Sequence, residues 1–308
     1  MVGYVVRRLI QGVAVALGVT LVVFFATRWI GDPVRRMLPI DATHAQYVAL
    51  SHQIGFDKPI LTQLRTFLTG IPHLQLGRSA WLDQPVVDAL RQHLGNTIRL
   101  ISAGLTTATV FGVALGTTAA LQAGRWLDRL ITTVTLALAS LPWFWTGALC
   151  ILIFAVRLQW LPTSGSDQGI RSLILPTVAL ALPITGRLTQ VVRHSVLTQL
   201  GEPYVATALA KGITRRRILL RHVPRNALLP VASFLGWETI RSIGASTVVV
   251  ETVFGYAGIG YLAVQAAQRQ DVILLQSTVL LVALMIVVCY LVFDILYMII
   301  DPRLRGRP

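Results

Sequence analysis

The chain alternates long apolar blocks with short polar ones, and block length identifies the elements. A bilayer core about 30 Å thick needs roughly 20 mostly apolar residues in one helix. Six segments meet that requirement: Leu9 to Ile30, Thr97 to Gln122, Leu130 to Val156, Ser172 to Val192, Ala227 to Val250 and Ser277 to Ile300. The pattern predicts an all-α membrane protein with six transmembrane helices. The first block follows Arg7 and Arg8, as a signal peptide would, but its 19 uncharged residues from Leu9 to Thr27 exceed a signal core. No small-x-small cleavage site follows, so the reading is a retained helix. Pro142 in the third block and Pro176 and Pro183 in the fourth predict kinks, which membranes tolerate when neighbours satisfy the freed carbonyls.

Composition supports the pattern. The 308 residues are 54% hydrophobic and 13% charged, where a soluble domain carries about 25% charge. Lys plus Arg number 27 against 13 Asp plus Glu, a net charge of +14. On a soluble chain that excess would suggest nucleic acid; on this one it reports topology. With the N-terminus inside, the short inner segments carry fourteen basic residues, among them Arg125, Arg129, Arg193 and Arg303. They carry only Asp128, Glu202 and Asp301 as acids, so both termini are expected in the cytoplasm. Cys150 and Cys289 lie in apolar blocks and support neither a disulfide nor a zinc site. The expected organisation is an N-terminal transmembrane helix over 1–30, an external segment over 31–96 and a five-helix core over 97–303. That core contains an inner loop, 193–226, and a short tail over 304–308 follows it.

The inner loop is the most informative stretch. Glu202 and Pro203 suit a helix start, Ala206, Ala208 and Ala210 suit close approach to another surface, and Gly212 suits the left-handed residue that ends a helix. Thr214 can cap a second helix bearing Arg215, Arg216, Arg217 and Arg221, stopped before Pro224. A short helix with one small-residue face and a cationic neighbour is built to dock.

The run Tyr204-Val-x-Thr-Ala-x-Ala-Lys-Gly212, followed by Arg221-His222-x-x-Arg225-Asn226-Ala-Leu-Leu-Pro230, resembles the signature loop of binding-protein-dependent ABC importer permeases of the dipeptide and oligopeptide branch. Leu161-Pro-x-Ser-Gly165, Leu175-Pro176, Val248-Val-Val-Glu251-Thr-Val-Phe254 with Gly258-x-Gly260, and Asp301-Pro-Arg303 extend the match in order along the chain. The resemblance implies a type I ABC importer permease fold in the bacterial cytoplasmic (inner) membrane. It also implies a coupling loop formed by Tyr204, Thr207, Ala208, Ala210, Lys211, Gly212, Arg215, Arg216, Arg217, Arg221, His222, Arg225 and Asn226. That loop would seat in a groove of an ATPase subunit. The implied partners are a second homologous permease in a heterodimer, two cytoplasmic ATPase subunits and an external substrate-binding protein, all around a chain embedded in lipid and free of nucleic acid. ATP and Mg would sit on the ATPases, with no cofactor in this chain. Di- or oligopeptides are the implied cargo, with nickel, glutathione or a haem-like solute as alternatives within the same family. The family's leading glutamate is absent: Ala206, Thr207 and Ala208 occupy the aligned positions before Gly212.

Other signals are weighed against this one. Neither Lys58 nor Lys211 lies in a Gly-x-x-x-x-Gly-Lys-Ser/Thr loop, so ATP hydrolysis is not expected here and the chain reads as a transport subunit, not an enzyme. Gly258-Ile-Gly-Tyr-Leu-Ala263 matches a dinucleotide fingerprint after the β-branched run Thr247 to Val250, but its place between two spans favours an external gate loop formed by Glu251, Phe254, Gly258 and Gly260. His44, His52, His73 and His93 are too widely spaced for a short metal pair. Glu238 and Arg241 lie inside the fifth block on one helix face, as candidates to line a translocation path or to neutralise each other. Arg187 and Asp294 are expected nearer the inner ends of their spans, where snorkelling suffices. An ion-coupled carrier using Glu238 and Asp294 would need an internal inverted repeat, which is not evident in the sequence, and a non-transporting scaffold would use only the basic loop.

Overall fold

The structure is a computed structural model. It describes residues 2–29, 34, 35, 38, 41–214, 217, 218, 221 and 223–300, excluding the side chains of 2–6, 29, 54, 225, 298 and 300. Among these residues no strand forms, and helices follow in the order α1 (Val2–Trp29), α2 (His44–Ile54), α3 (Ile60–Gly70), α4 (Val86–Leu121), α5 (Trp126–Ala139) and α6 (Trp143–Cys150). After them come α7 (Ile170–Leu200), α8 (Pro203–Ala210), α9 (Val223–Arg241), α10 (Thr247–Phe254), α11 (Ile259–Gln268) and α12 (Val272–Ile300). Among the described residues four stretches are long and apolar enough to cross a membrane: Arg7–Arg28, Val86–Leu121, Ile170–Leu200 and Val272–Tyr297. Two interrupted helix pairs, α5 with α6 and α9–α10 with α11, bring the number to six when each is taken as one span. These correspond in order to the six blocks of the sequence.

The prolines act differently from one another. The third block is not one kinked helix: α5 and α6 are bent by 102°. Pro142 lacks an N–H and sits at φ −66°, ψ 140°, and proline also pushes the residue before it out of the helical region. Its carbonyl then accepts the Thr146 N–H at 3.0 Å and the Thr146 hydroxyl at 3.0 Å, which starts α6. Pro176 and Pro183, by contrast, lie within an unbroken α7. Two stretches, Ile151–Arg157 after α6 and Ser242–Ser246 after α9, wind as π-helix, a form often found at functional sites.

The described residues divide into two units, one within 99–256 and 288–300 and the other within 2–98 and 257–287. In the first, α7 is the buried axis. Leu175, Leu180 and Ile184 pack with Leu100 and Ala108 of α4 and with Val250 and Phe254 of α10. One turn further on, Leu188, Val192 and Val196 pack with Val205 and Ala208 of α8 and with Val223 and Ala227 of α9. Gly186 lets α7 touch α5, because a Cβ there would stand 2.6 Å from Ala139 N. Close helix contact through small residues is the membrane substitute for hydrophobic drive. The same two helices are joined by an ion pair: Arg193 donates to both oxygens of Asp128, at 2.6 and 2.8 Å. Asp128 is buried and also accepts the Gly124 N–H at 2.9 Å.

In the second unit, Val86, Ala89 and Leu90 at the start of α4 pack with Ile259 and Leu262 of α11 and with Leu274 of α12. Asp271 ties a loop to this core. It accepts the Ser79 hydroxyl at 2.6 Å, the Trp81 N–H at 3.1 Å and the Leu274 N–H at 3.0 Å, the last in the first turn of α12. Arg28 at the end of α1 stacks on Phe24, 3.4 Å from the ring centroid, and donates to Gln63 of α3 at 3.0 Å.

Candidate coupling surface and transport path

The proposed docking loop begins at α8. Pro203 occupies its first position, where the missing N–H is no loss, and Glu202 before it is extended. The end is closed by a Schellman motif: Ile213 N–H donates to Ala208 O at 3.1 Å and Gly212 N–H to Leu209 O at 2.9 Å. Gly212 has φ +78°, a left-handed conformation that glycine adopts at little cost. Thr214 O accepts the N–H groups of Arg217 and Ile218 at 2.9 and 3.1 Å, which begins the next turn. Val223 and Pro224 are helical in α9, and the end of the expected second helix falls among residues outside the described ones.

α8 has two faces. Val205 and Ala208 are buried against α7 and α9, while Ala206, Thr207, Leu209, Ala210, Lys211 and Gly212 are exposed. Tyr204 is half-buried and donates to Gln199 Oε1 at 3.0 Å. Arg217, Arg221 and Asn226 are exposed. Arg215, Arg216 and His222 lie outside the described residues, as do the side chain of Arg225 and the segment from Asp301. The loop therefore offers a small, largely apolar ridge next to exposed guanidiniums.

The intramembrane charges are arranged differently from the i, i+3 expectation. Glu238 is 1% exposed, and both its oxygens are taken by Arg187, with Nε to Oε1 at 2.9 Å and Nη2 to Oε2 at 3.1 Å. Arg241 approaches Oε1 only to 3.8 Å. Arg187 lies within α7, about 20 Å from Leu200 at 1.5 Å per residue. The sequence reading missed it as Glu238's partner. An arginine inside an otherwise apolar segment is the signal that it needs a buried acid. Trp143 adjoins both cations, its ring centroid 5.7 Å from the Arg187 guanidinium carbon and 4.8 Å from that of Arg241.

The residues of the expected gate loop belong to two successive helices. Glu251 and Phe254 are buried in α10 of the first unit, with Phe254 O accepting the Gly165 N–H at 2.9 Å. Gly258 and Gly260 open α11 in the second unit, where the Ile259 N–H donates to Thr97 Oγ1 at 2.7 Å. The run Thr247 to Val250 is helical, so the Gly-x-Gly pattern lacks the preceding strand that a dinucleotide site requires. Among the described residues no three His, Cys, Asp or Glu side chains gather as a metal cage.

Several apolar spans, two of them broken, an exposed short helix between two spans and a buried ion cluster define a multi-pass permease. The family described as "Binding-protein-dependent transport system inner membrane component" matches residues 112–306, and the chain belongs to it. It is 33% identical over 308 residues, all of both chains, to the glutathione transport system permease protein GsiC of Escherichia coli O6:H1. It is 32% identical over the same length to GsiC of Escherichia coli K12, and 34% identical over 309 residues to GsiC of Salmonella paratyphi A. Two solved structures of inward-facing conformations of the MetNI methionine ABC transporter superpose with TM-scores of 0.60 and 0.58. Each covers 70% of this chain and 98% of the solved one at 15 and 16% identity, a likeness of fold. The chain is a permease subunit of the ABC importer family, with that family's importer fold, and a multi-pass protein of the bacterial inner membrane.

Proposed function

We propose that this permease forms the translocation path of an ATP-driven importer for short peptides, with glutathione, a tripeptide, as the first cargo to test. A second, homologous permease completes the path and an external binding protein delivers the solute. Two ATPase subunits holding ATP and Mg drive the cycle from the cytoplasm, where both termini and α8 lie. The exposed ridge Ala206, Thr207 and Ala210 seats in the ATPase groove, with Lys211, Arg217 and Arg221 at its rim. The observation that carries the coupling role is α8 itself: a two-turn helix with a buried face fixed to α7 and α9 and an exposed face of small residues. Motion imposed on α8 passes directly to α7, because Val205 and Ala208 share one apolar cluster with Leu188, Val192 and Val196. The cargo reading is supported by full-length similarity to glutathione permeases. Reconstitution of the complete complex in liposomes tests it. Saturable uptake of labelled glutathione that requires both ATP and the binding protein is expected. Uptake of nickel with no glutathione transport refutes the cargo.

A further inference from the structure

The cluster around Trp143 carries an unbalanced charge. Arg187 and Arg241 contribute two guanidiniums, whereas Glu238, the one carboxylate placed against them among the described residues, offers two oxygens that Arg187 already occupies. Arg241 is left 41% exposed at its side chain, 3.8 Å from Glu238, with its guanidinium carbon over the Trp143 ring, 4.8 Å from the centroid. Glu238 lies about 18 Å along the helix from Asn226 and about 24 Å from Phe254, so the cluster sits far from either end of the span. A net positive charge at that depth is expensive against lipid, and ionisable groups there face a cavity or a partner. Within six residues after Arg241 the hydroxyls of Ser242, Ser246 and Thr247 are buried without a protein partner, as is Trp143 Nε1. Buried polar atoms are nearly always satisfied, so these groups leave hydrogen-bonding capacity beside Arg241 in the chain for a polar partner. The Ser242–Ser246 stretch is also the π-helical turn directly after Arg241.

We propose that Arg241, seated on Trp143 and backed by the Arg187–Glu238 pair, binds the carboxylate of the transported solute, so that the path prefers anionic cargo. The division of labour follows from the geometry. Arg187 is spent on Glu238 and fixes the acid; Glu238 in turn holds Arg241 near the ring without saturating it. A guanidinium fork in that state has free donors in the planar arrangement that carboxylates take in bidentate fashion. The stacking face of Trp143 stiffens the cation, which lowers the ordering cost when the solute arrives.

This inference rests on the peptide reading above, and the test separates the two. In liposomes containing the complete complex, uptake of glutathione and of triglycine is compared with that of glutathione diethyl ester and triglycinamide. Arg241→Gln is expected to lower uptake of the two acids about tenfold, as for loss of one charge-assisted contact, while changing uptake of the ester and the amide less than about twofold. Arg241→Lys, which keeps the charge and loses the fork, is expected to fall between. Equal loss for acids and neutral forms, or no loss for either, overturns the proposal. Equilibrium binding of radiolabelled glutarate to the ATP-free complex in nanodiscs reads the site without relying on cargo. Saturable binding in the wild type that Arg241→Gln abolishes supports the site, and its absence in the wild type overturns it. If glutarate binds while neither glutathione nor triglycine is transported, the peptide reading falls and the carboxylate site stands.

Discussion

Gly212 is where a small change should separate docking from folding. It sits at φ +78° and closes α8, yet a Cβ built there meets nothing within 4 Å. Steric bulk is therefore not the lever; backbone conformation is. A residue with a Cβ in the left-handed region costs roughly 1–2 kcal/mol, with asparagine milder and β-branched residues worse. The open surroundings leave the rest of the unit untouched, so the strain falls on the Schellman bonds Ile213 to Ala208 and Gly212 to Leu209. Relief of that strain opens the end of α8 and moves the ridge. If the docked ATPase requires the closed form, 1–2 kcal/mol becomes a loss of about 5- to 30-fold in affinity, at 1.4 kcal/mol per factor of ten. The series Gly212→Asn, Gly212→Ala and Gly212→Val should then bind ATPase subunits progressively more weakly. Thermal unfolding of the permease should shift little across the series. The assay is titration of ATPase subunit onto permease in nanodiscs, with ATP consumed per solute moved as a second readout. Equal affinity for Asn and Val variants, at wild-type level, refutes the reasoning.

Two further outcomes concern the frame that holds these sites. Asp128→Asn leaves Arg193 without its carboxylate between α5 and α7; because Arg193 keeps some exposure, a destabilisation of about 3 kcal/mol is expected, at the low end for broken buried pairs, measured as a lower unfolding temperature in detergent. Asp271→Ala orphans the Ser79 hydroxyl and the Trp81 and Leu274 N–H groups. Trypsin should then cut after the exposed Arg78 much faster, with Asp271→Asn intermediate, as followed by fragment yield over time.

Where the determinants were local, the sequence announced them. Apolar block length marked the spans, Pro203 the start of α8 and Gly212 its end, because each depends on a residue's own backbone or immediate neighbours. The break at Pro142 was legible as a disturbance but not as a 102° bend, since the same residue type is absorbed within α7 at Pro176 and Pro183. What decides between the two outcomes is packing around the freed carbonyls, which no local pattern encodes. Charge pairing was read worst. Arg193 and Asp128 registered only as topology signals, and Glu238 was matched to Arg241 by helix spacing. The partners that actually bind them lie 65 and 51 residues away, brought together by the contacts of α7 with α5 and α9. The Gly258-x-Gly260 pattern failed as a fingerprint for the complementary reason: the β-branched run before it is held as helix by burial of Thr247 and Val250.

Site-directed cross-linking tests the proposed contact of α8 with an ATPase directly. Thr207 is exposed and Ala208, its neighbour, is buried against α7. In membranes containing the complete complex, with Cys150 and Cys289 replaced by serine, Thr207→Cys should cross-link to an ATPase subunit in high yield and Ala208→Cys hardly at all. A transport-competent complex in which Thr207→Cys forms no cross-link to the ATPase, or in which both positions react alike, would contradict it.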